Sequence, residues 1–186
     1  DLVRSGGLGD VYKRQDVATV VLKDGRRLVA DLVVAAEGRA SALRDAAGIK
    51  TVGWDYGQTG IVATVEFSED HHGVAVQNFL PGGPFAVLPL KGRRACITWS
   101  CAADEAKQIL ALGDAGFVAE LDKRIAGRFG EGKLIGKRQS WPLNVKRARD
   151  VVARRFALIG DAAHGVHPIA GQGVNLAFKD VAALLD

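Results

Sequence analysis

Near its C-terminal end the chain reads ALIGDAAHGVHPIAGQGVNLA (Ala157–Ala177), and no other stretch restricts its fold so strongly. A short apolar strand, Phe156–Ile159, runs into Gly160-Asp161 and so delivers an acid at its carboxyl end, where open α/β sheets place ligands. A loop passes His164, His167 and Pro168, and Gly171-Gln172-Gly173 opens a helix expected over Gly173–Leu185. Glycines at a helix N-terminus let a ligand approach the backbone, and the free N–H groups and the helix dipole favour negative charge. An electron-rich ring whose reduced form is an anion suits such a place. The bare spacing suits equally a plain strand–loop–helix connection in which Asp161 caps the helix. As a dinucleotide fingerprint Gly171-Gln172-Gly173 is weak, because the sixth position is Leu176 rather than glycine.

A second apolar run, Asp31–Ala36, has the continuous character of a buried parallel strand. It ends at Glu37-Gly38, and a short helix, Ala40–Ala47, is expected to stop at Gly48. Before it, Val17–Lys23 and Arg26–Ala30 flank Asp24-Gly25, a hairpin signal. Between these ends lies a β-rich region: Gln58–Phe67, Val74–Leu80, Phe85–Leu90 and Ala95–Ser100, punctuated by Pro81-Gly82-Gly83-Pro84 and Lys91-Gly92. Asp104–Leu112 and Phe117–Phe129 have helical spacing, and Lys133–Trp141 reads as a further strand. Parallel-strand segments at both ends with an antiparallel sheet between them predict an α/β domain carrying an α+β insertion. The expected division is 16–53 and 144–186 for the α/β domain and 54–143 for the insertion.

Charge and cysteine content narrow the function classes. From Leu121 to Arg155 eleven basic residues face three acids, so the segment carries +8 and the remainder −4. Aromatic residues are only 6% and do not interleave with the basic run, which argues against a stacking platform for nucleic acid. A solvated basic face, or one that meets anionic lipid or a phosphate-bearing cofactor, accounts for the run. Cys96 and Cys101 form neither a disulfide framework nor a zinc pattern, and no apolar run approaches the roughly 18 residues of a bilayer span. A reduced cytoplasmic location is expected. Residues 1–15 lack an apolar period, and Asp10–Gln15 (DVYKRQ) matches one reading frame of a transposon end used in sequencing libraries, so they are expected to be a non-native leader. The chain stops at Asp186 within an apolar helical pattern, as a fragment would.

Gly160-Asp161-Ala162-Ala163-His164, His167-Pro168 and Gly171-Gln172-Gly173-Val174-Asn175-Leu176 together resemble the second FAD motif of flavoprotein aromatic hydroxylases, the p-hydroxybenzoate hydroxylase fold class. DLVVAAEGRASALR (Asp31–Arg44) resembles the other shared stretch of that class, with Glu37 where its members usually carry Asp. YGQTGIVATV (Tyr56–Val65), FLPGGPFAVLPL (Phe79–Leu90) and Trp141-Pro142-Leu143 resemble the ubiquinone-biosynthesis hydroxylases within it. The resemblance covers roughly Asp16 to Asp186. It implies a partial FAD-binding domain that lacks the N-terminal ADP-binding βαβ unit, and a piece that by itself binds FAD poorly.

The resemblance further implies roles for particular residues. Asp161 would accept hydrogen bonds from the ribityl hydroxyls of FAD, after the turn at Gly160. The backbone of Gly171, Gln172, Gly173 and Val174 would face the pyrimidine edge of the flavin, Pro168 would wall the ring, and Asn175 would help hold it. Glu37 and Gly38 would lie near the pyrophosphate, and Arg44 would either join this network or cap its own helix. The implied reaction is hydroxylation of an aromatic ring in a polyprenylated ubiquinone precursor through a flavin hydroperoxide, with electrons from a reduced nicotinamide or another donor. No catalytic side chain is assigned. The insertion would cover the flavin and bind substrate, although Phe79, Leu80, Phe85, Val87, Leu88 and Leu90 read mostly as sheet core. Peripheral contact with the inner membrane and membership of a ubiquinone-biosynthesis complex would follow; nucleic acid is not an expected partner. The rivals are a hydroxylase of a small soluble phenol, a flavin halogenase or reductase on the same fold, and a non-catalytic basic lipid-binding module. His71-His72 reads as a surface pair, no metal site is assigned, and Trp54, Trp99 and Trp141 read as packing residues.

Overall fold

The computed structural model describes residues 8–13, 17–168 and 171–186, with side chains from 17 onward. In chain order the elements are β1 (Leu8–Lys13), β2 (Ala18–Leu22), β3 (Arg27–Ala30), β4 (Val33–Ala35), α1 (Ala42–Ala46), β5 (Thr51–Phe67), β6 (Val76–Leu80), β7 (Gly83–Pro89), β8 (Arg94–Ala102), α2 (Ala103–Ala111), α3 (Asp114–Ile125), β9 (Gly132–Ala148), β10 (Val152–Ala153), β11 (Phe156–Leu158), β12 (His164–Gly165) and α4 (Gln172–Leu185). They form two compact units: Asp1–Trp54 with Asn144–Asp186, and Asp55–Leu143.

In the first unit, β2 and β3 make the hairpin that Asp24-Gly25 demands. Val21 pairs with Arg27, and Gly25 takes φ +85°, a conformation that costs glycine little. β1 pairs antiparallel with β2, from Leu8 opposite Leu22 to Lys13 opposite Ala18. Of the residues read from sequence as a leader, 8–13 therefore lie in this sheet; the others fall outside the described residues. β4 and β11, from opposite ends of the chain, pair in parallel, with Val33, Val34 and Ala35 opposite Phe156, Ala157 and Leu158. β10 flanks β11 on its other edge. Val33, Ala35, Phe156 and Leu158 join Ala18, Val20, Leu43 and Ile49 in one core. The continuous burial expected for Asp31–Ala36 is found on one face only. Leu32 and Val34 are exposed, because successive strand residues point to opposite faces and one face alone is covered by this core.

In the second unit the sheet order is β9-β5-β8-β7-β6. β5 and β8 pair antiparallel from Gln58 opposite Ala102 to Glu66 opposite Arg94, and β7 and β6 continue the ladder. Alternation sends Ile61, Val65, Phe85, Val87, Ile97 and Trp99 to one face. There α2 and α3 bury Ile109, Phe117, Leu121 and Ile125 against them. Ala126 turns left-handed at φ 53° and ends α3, so Phe129, expected as its last turn, reaches the core from a loop instead. The opposite sheet face is open, with Phe79 75% exposed and Leu88 41%. The six apolar residues read mostly as core therefore divide: Leu80, Phe85 and Val87 pack inside, while Phe79, Leu88 and Leu90 do not.

Three other expectations are corrected. Trp99 is core, but Trp54 and Trp141 are more than half exposed. His71 is buried: its Nε2 faces the Arg94 carbonyl at 3.0 Å and its Nδ1 accepts the Gly73 N–H, also at 3.0 Å. The basic run is not one free face. Arg124 pairs with Glu105 and Glu120 and stacks 4.0 Å above the Trp99 ring, Arg138 reaches the Leu112 carbonyl, and Arg155 holds the Asp31 carbonyl.

Candidate functional site

After β11 the chain makes a single 3-10 turn over Gly160–Ala162. Gly160 takes φ +59°, and its N–H donates to Asp180 Oδ2 at 2.7 Å. His164 Nε2 lies 3.0 Å from Asp180 Oδ1. A carboxylate accepts but does not donate, so Nε2 carries the hydrogen. A Cβ at Gly160 would stand 3.3 Å from that of Ala177, so helix and turn already pack closely. These contacts matter because α4 contains no fully buried residue. Its attachment to the turn is largely polar and rests on Asp180.

The N-terminus of α4 is thereby held beside Asp161. Gly171 begins the helix at φ +64° with its N–H donating to the Pro168 carbonyl at 3.3 Å, and among the described residues no side chain caps it, so the positive end of the helix dipole faces the cleft. A Cβ added to Gly173 would come 3.9 Å from Asp161 Oδ1, an ordinary contact distance, so this oxygen lies directly beside the helix start. Asp161, Pro168, Gly171, Gly173 and Val174 line a cleft of about 410 Å³. Arg39, Val166, His167 and Ala177 complete its wall.

Arg39 organises this wall. Its Nε donates to Asp161 Oδ2 at 3.1 Å, and Nη1 donates to the Asn144 carbonyl and Oδ1 at 2.9 and 3.1 Å. Nη2 donates to the Val166 carbonyl. A side chain at residue 165 has no room, because a Cβ on Gly165 would meet Arg39 Nε at 2.8 Å. Burial, with Arg39 second, pushes the His167 imidazole below its ordinary value, which keeps it neutral at pH 7.

The other residues singled out from sequence lie behind the cleft or along α4. Glu37 Oε1 accepts the Leu43 N–H at 2.8 Å and so caps α1, beside Ser41, whose hydroxyl accepts the Arg44 N–H at 3.0 Å. The second oxygen, Oε2, is buried and accepts no hydrogen bond among the described residues. Gly38 takes φ +89° and turns the chain between strand and helix. Arg44 is buried, and its Nη1 donates to the Arg39 carbonyl at 3.1 Å and the Ala162 carbonyl at 3.2 Å. It is a strut between α1 and the Gly160–Ala162 turn. Gln172 and Asn175 stand in the first turn of α4 without lining the cleft. Sequence reasoning missed Arg39 and Asp180. Arg39 directly follows Glu37-Gly38, and Asp180 continues the helical stripe Gly173, Ala177, Asp180, so both carried a readable signal.

The strand–turn–helix, with an acid beside a glycine-rich helix start, suits a ligand that brings both hydroxyl donors and negative charge, and the chain matches the FAD binding domain family over residues 10–186. It belongs to that family. As an FAD-binding-domain protein it is 45% identical over 171 residues to the ubiquinone hydroxylase UbiL of Rhodospirillum rubrum, covering 92% of this chain and 40% of the relative. It is 35% identical to the 3-demethoxyubiquinol 3-hydroxylase of Escherichia coli K12 (97% and 46%). It is 34% identical to the mitochondrial ubiquinone biosynthesis monooxygenase COQ6 of Xenopus tropicalis (89% and 43%). The chain thus spans less than half the length of these relatives. Among solved structures it is similar to pqsL, a probable FAD-dependent monooxygenase from Pseudomonas aeruginosa. The TM-score is 0.72 at 28% identity, with 95% of this chain and 51% of that one covered. The flavin-dependent halogenase CmlS shares the fold, with a TM-score of 0.77 at 19% identity over 95% of this chain and 34% of that one.

Proposed function

We propose that the chain is part of an FAD-dependent monooxygenase that hydroxylates the ring of a polyprenylated phenol on the way to ubiquinone. The observation that carries the reading is the cleft at the glycine-rich start of α4, lined by Asp161, in a chain so close to ubiquinone hydroxylases over nearly its whole length. The residues present fit a flavin dinucleotide: Asp161 Oδ1 lies at the glycine-rich start of α4, 3.9 Å from where a Gly173 Cβ would stand, and the helix dipole favours negative charge there.

In this reading Asp161 Oδ1 accepts hydrogen bonds from the ribityl hydroxyls, and Gly160 sets the turn that presents it. The backbone of Gly171, Gln172, Gly173 and Val174 would face the pyrimidine edge, where the helix dipole favours negative charge, although the Gly171 N–H is shared with the Pro168 carbonyl. Pro168 would wall the ring, and Asn175 would help hold it. Glu37, Gly38 and Arg44 hold the strand–helix corner behind Asp161. When bound, FAD supplies the redox chemistry by which O₂ is split between the substrate ring and water, with two electrons from a reduced nicotinamide or another donor. His167, kept neutral, adds no second cation beside Arg39.

The open face of the second unit's sheet supports an apolar substrate. Phe79 and Leu88 are exposed there, and Thr98 and Thr64 lie in the adjoining ladder positions without charge. Peripheral contact with anionic lipid and membership of a biosynthetic complex belong to the same proposal; among the described residues no helix is long and apolar enough to cross a membrane. The test uses the full-length protein that carries this chain, loaded with FAD and supplied with reduced nicotinamide, oxygen-18 gas and a short-chain prenyl phenol. One labelled oxygen in the recovered ring is the expected product. Turnover of small soluble phenols with none of the prenylated ones would overturn the substrate assignment.

A further inference from the structure

We infer that Arg39 is a positioning residue for the cofactor: by engaging one oxygen of Asp161 it fixes the plane of the carboxylate and so the direction in which the other oxygen is offered to the ligand. This rests on the FAD reading of the cleft. Asp161 Oδ2 is engaged by Arg39 Nε at 3.1 Å, whereas Oδ1 is the oxygen next to Gly173. A carboxylate on a short side chain can rotate about its last bond and swing both oxygens away from the direction the cleft requires. The guanidinium is itself pinned by Asn144 through two bonds and by the Val166 carbonyl, so it cannot follow such a rotation. Four hydrogen bonds to acceptors on three separate segments define one geometry for the fork, which a lysine, with a single point charge, cannot reproduce.

The same bonds shape the wall. Val166 is in the loop that carries His167 and Pro168, so Arg39 fixes both the acceptor and the surface against which a flat ring would lie. Gly165 leaves room for this: a Cβ there would come within 2.8–3.1 Å of three Arg39 side-chain atoms. The positive charge also offsets that of Asp161, so the cleft does not repel an anionic ligand. Arg39 thus acts through Asp161, and its contribution and that of Asp161 should be inseparable.

A double-mutant cycle tests this in the full-length protein that carries the chain, with FAD dissociation followed by flavin fluorescence and by the visible spectrum. Arg39→Met and Asp161→Asn should each weaken FAD roughly tenfold or more, the scale of a charge-assisted hydrogen bond. The double variant should be no more than about threefold weaker than the worse single variant, because neighbours that share one interaction are not additive. Arg39→Lys should not restore binding and should leave a shifted flavin spectrum. Losses that multiply in the double variant, or full rescue by lysine, would overturn the inference while leaving the FAD site intact. A wild-type protein that binds no FAD would instead refute the underlying reading. Thermal unfolding of each apoprotein separates these outcomes from misfolding, and Asn144→Ala, which removes only the Oδ1 bond and leaves both carbonyl acceptors, should weaken FAD by less than Arg39→Met does; a loss as large as that of Arg39→Met would overturn the four-bond geometry.

Discussion

Asp180→Ala should detach α4 from the turn that carries Asp161, and the structure indicates how much that costs. Two donors lose their acceptor: the Gly160 N–H at 2.7 Å and His164 Nε2 at 3.0 Å. Hydrogen bonds to a charged partner contribute about 1.5–3 kcal/mol each when buried. Here the two side chains keep 21% and 24% exposure, which allows water to replace part of each bond and puts the sum at about 2–3 kcal/mol. Apolar burial on α4 compensates only in part, since Leu176 and Ala177 are partly buried and no residue of the helix is fully so. For a chain of this size that corresponds to a fall in Tm of about 5–10 °C. Asp180→Asn retains one acceptor and turns an amide N–H towards the other donor, so about half the loss should remain. Urea unfolding of the three proteins, with the full-length form used to follow FAD affinity in parallel, measures both effects. If Asp180→Ala lies within about 0.5 kcal/mol of wild type, the polar anchoring of α4 is wrong.

Other perturbations read other parts of the structure. Phe117 is fully buried, with its ring 6.0 Å from Trp99 and 5.2 Å from the Arg138 guanidinium, so Phe117→Ala should cost about 3–5 kcal/mol by denaturant unfolding. Phe79→Ser, on the open sheet face, should change stability by no more than about 0.5 kcal/mol while raising KM for a prenylated substrate; a core-sized loss there would mean that the face is covered. His167 has its pKa lowered from 6.5 by burial and then by Arg39, so below pH 6.5 the unfolded chain takes up the proton first. Its contribution to stability is present above pH 6.5 and fades as pH falls towards the depressed value. His167→Asn should flatten Tm against pH in that window, and an unchanged slope would refute the assignment.

Much of this architecture was legible because local rules and tertiary packing agree. Asp24-Gly25 is a hairpin signal that nothing in the fold contradicts, and Gly48 stops α1 with φ +75°. Ala157–Ala177 announces strand, acid, loop and helix because each step has its own residue type. Legibility failed where one pattern served two environments. Val34 and Val33 look alike in sequence, yet only Val33 is inside, because burial depends on which sheet face receives a core. The apolar stretch Phe79–Leu90 divides between two faces for the same reason. His71 looks like a polar-turn residue and is buried because Arg94 and Gly73 satisfy both ring nitrogens.

The candidate site shows a comparable limit. Asp161, Pro168, Gly171, Gly173 and Val174 were readable as a group because they are close in sequence, and they do line one cleft. Arg39 reaches Asp161 and Asn144 only through the tertiary fold, and Asp180 returns to Gly160 only once α4 is docked. Glu37, placed near the pyrophosphate by the family resemblance alone, also has a local role that the sequence did not show: its Oε1 accepts the Leu43 N–H and caps a helix. Arg44, for which two roles were open, is buried as a strut to the Ala162 carbonyl.

Purifying the full-length protein that carries this chain and recording its visible spectrum tests the central claim most directly. Flavin absorption bands, with FAD recovered in stoichiometric amount on denaturation and lost in Asp161→Ala, are the predicted result. A folded, colourless protein that takes up no added FAD would contradict it.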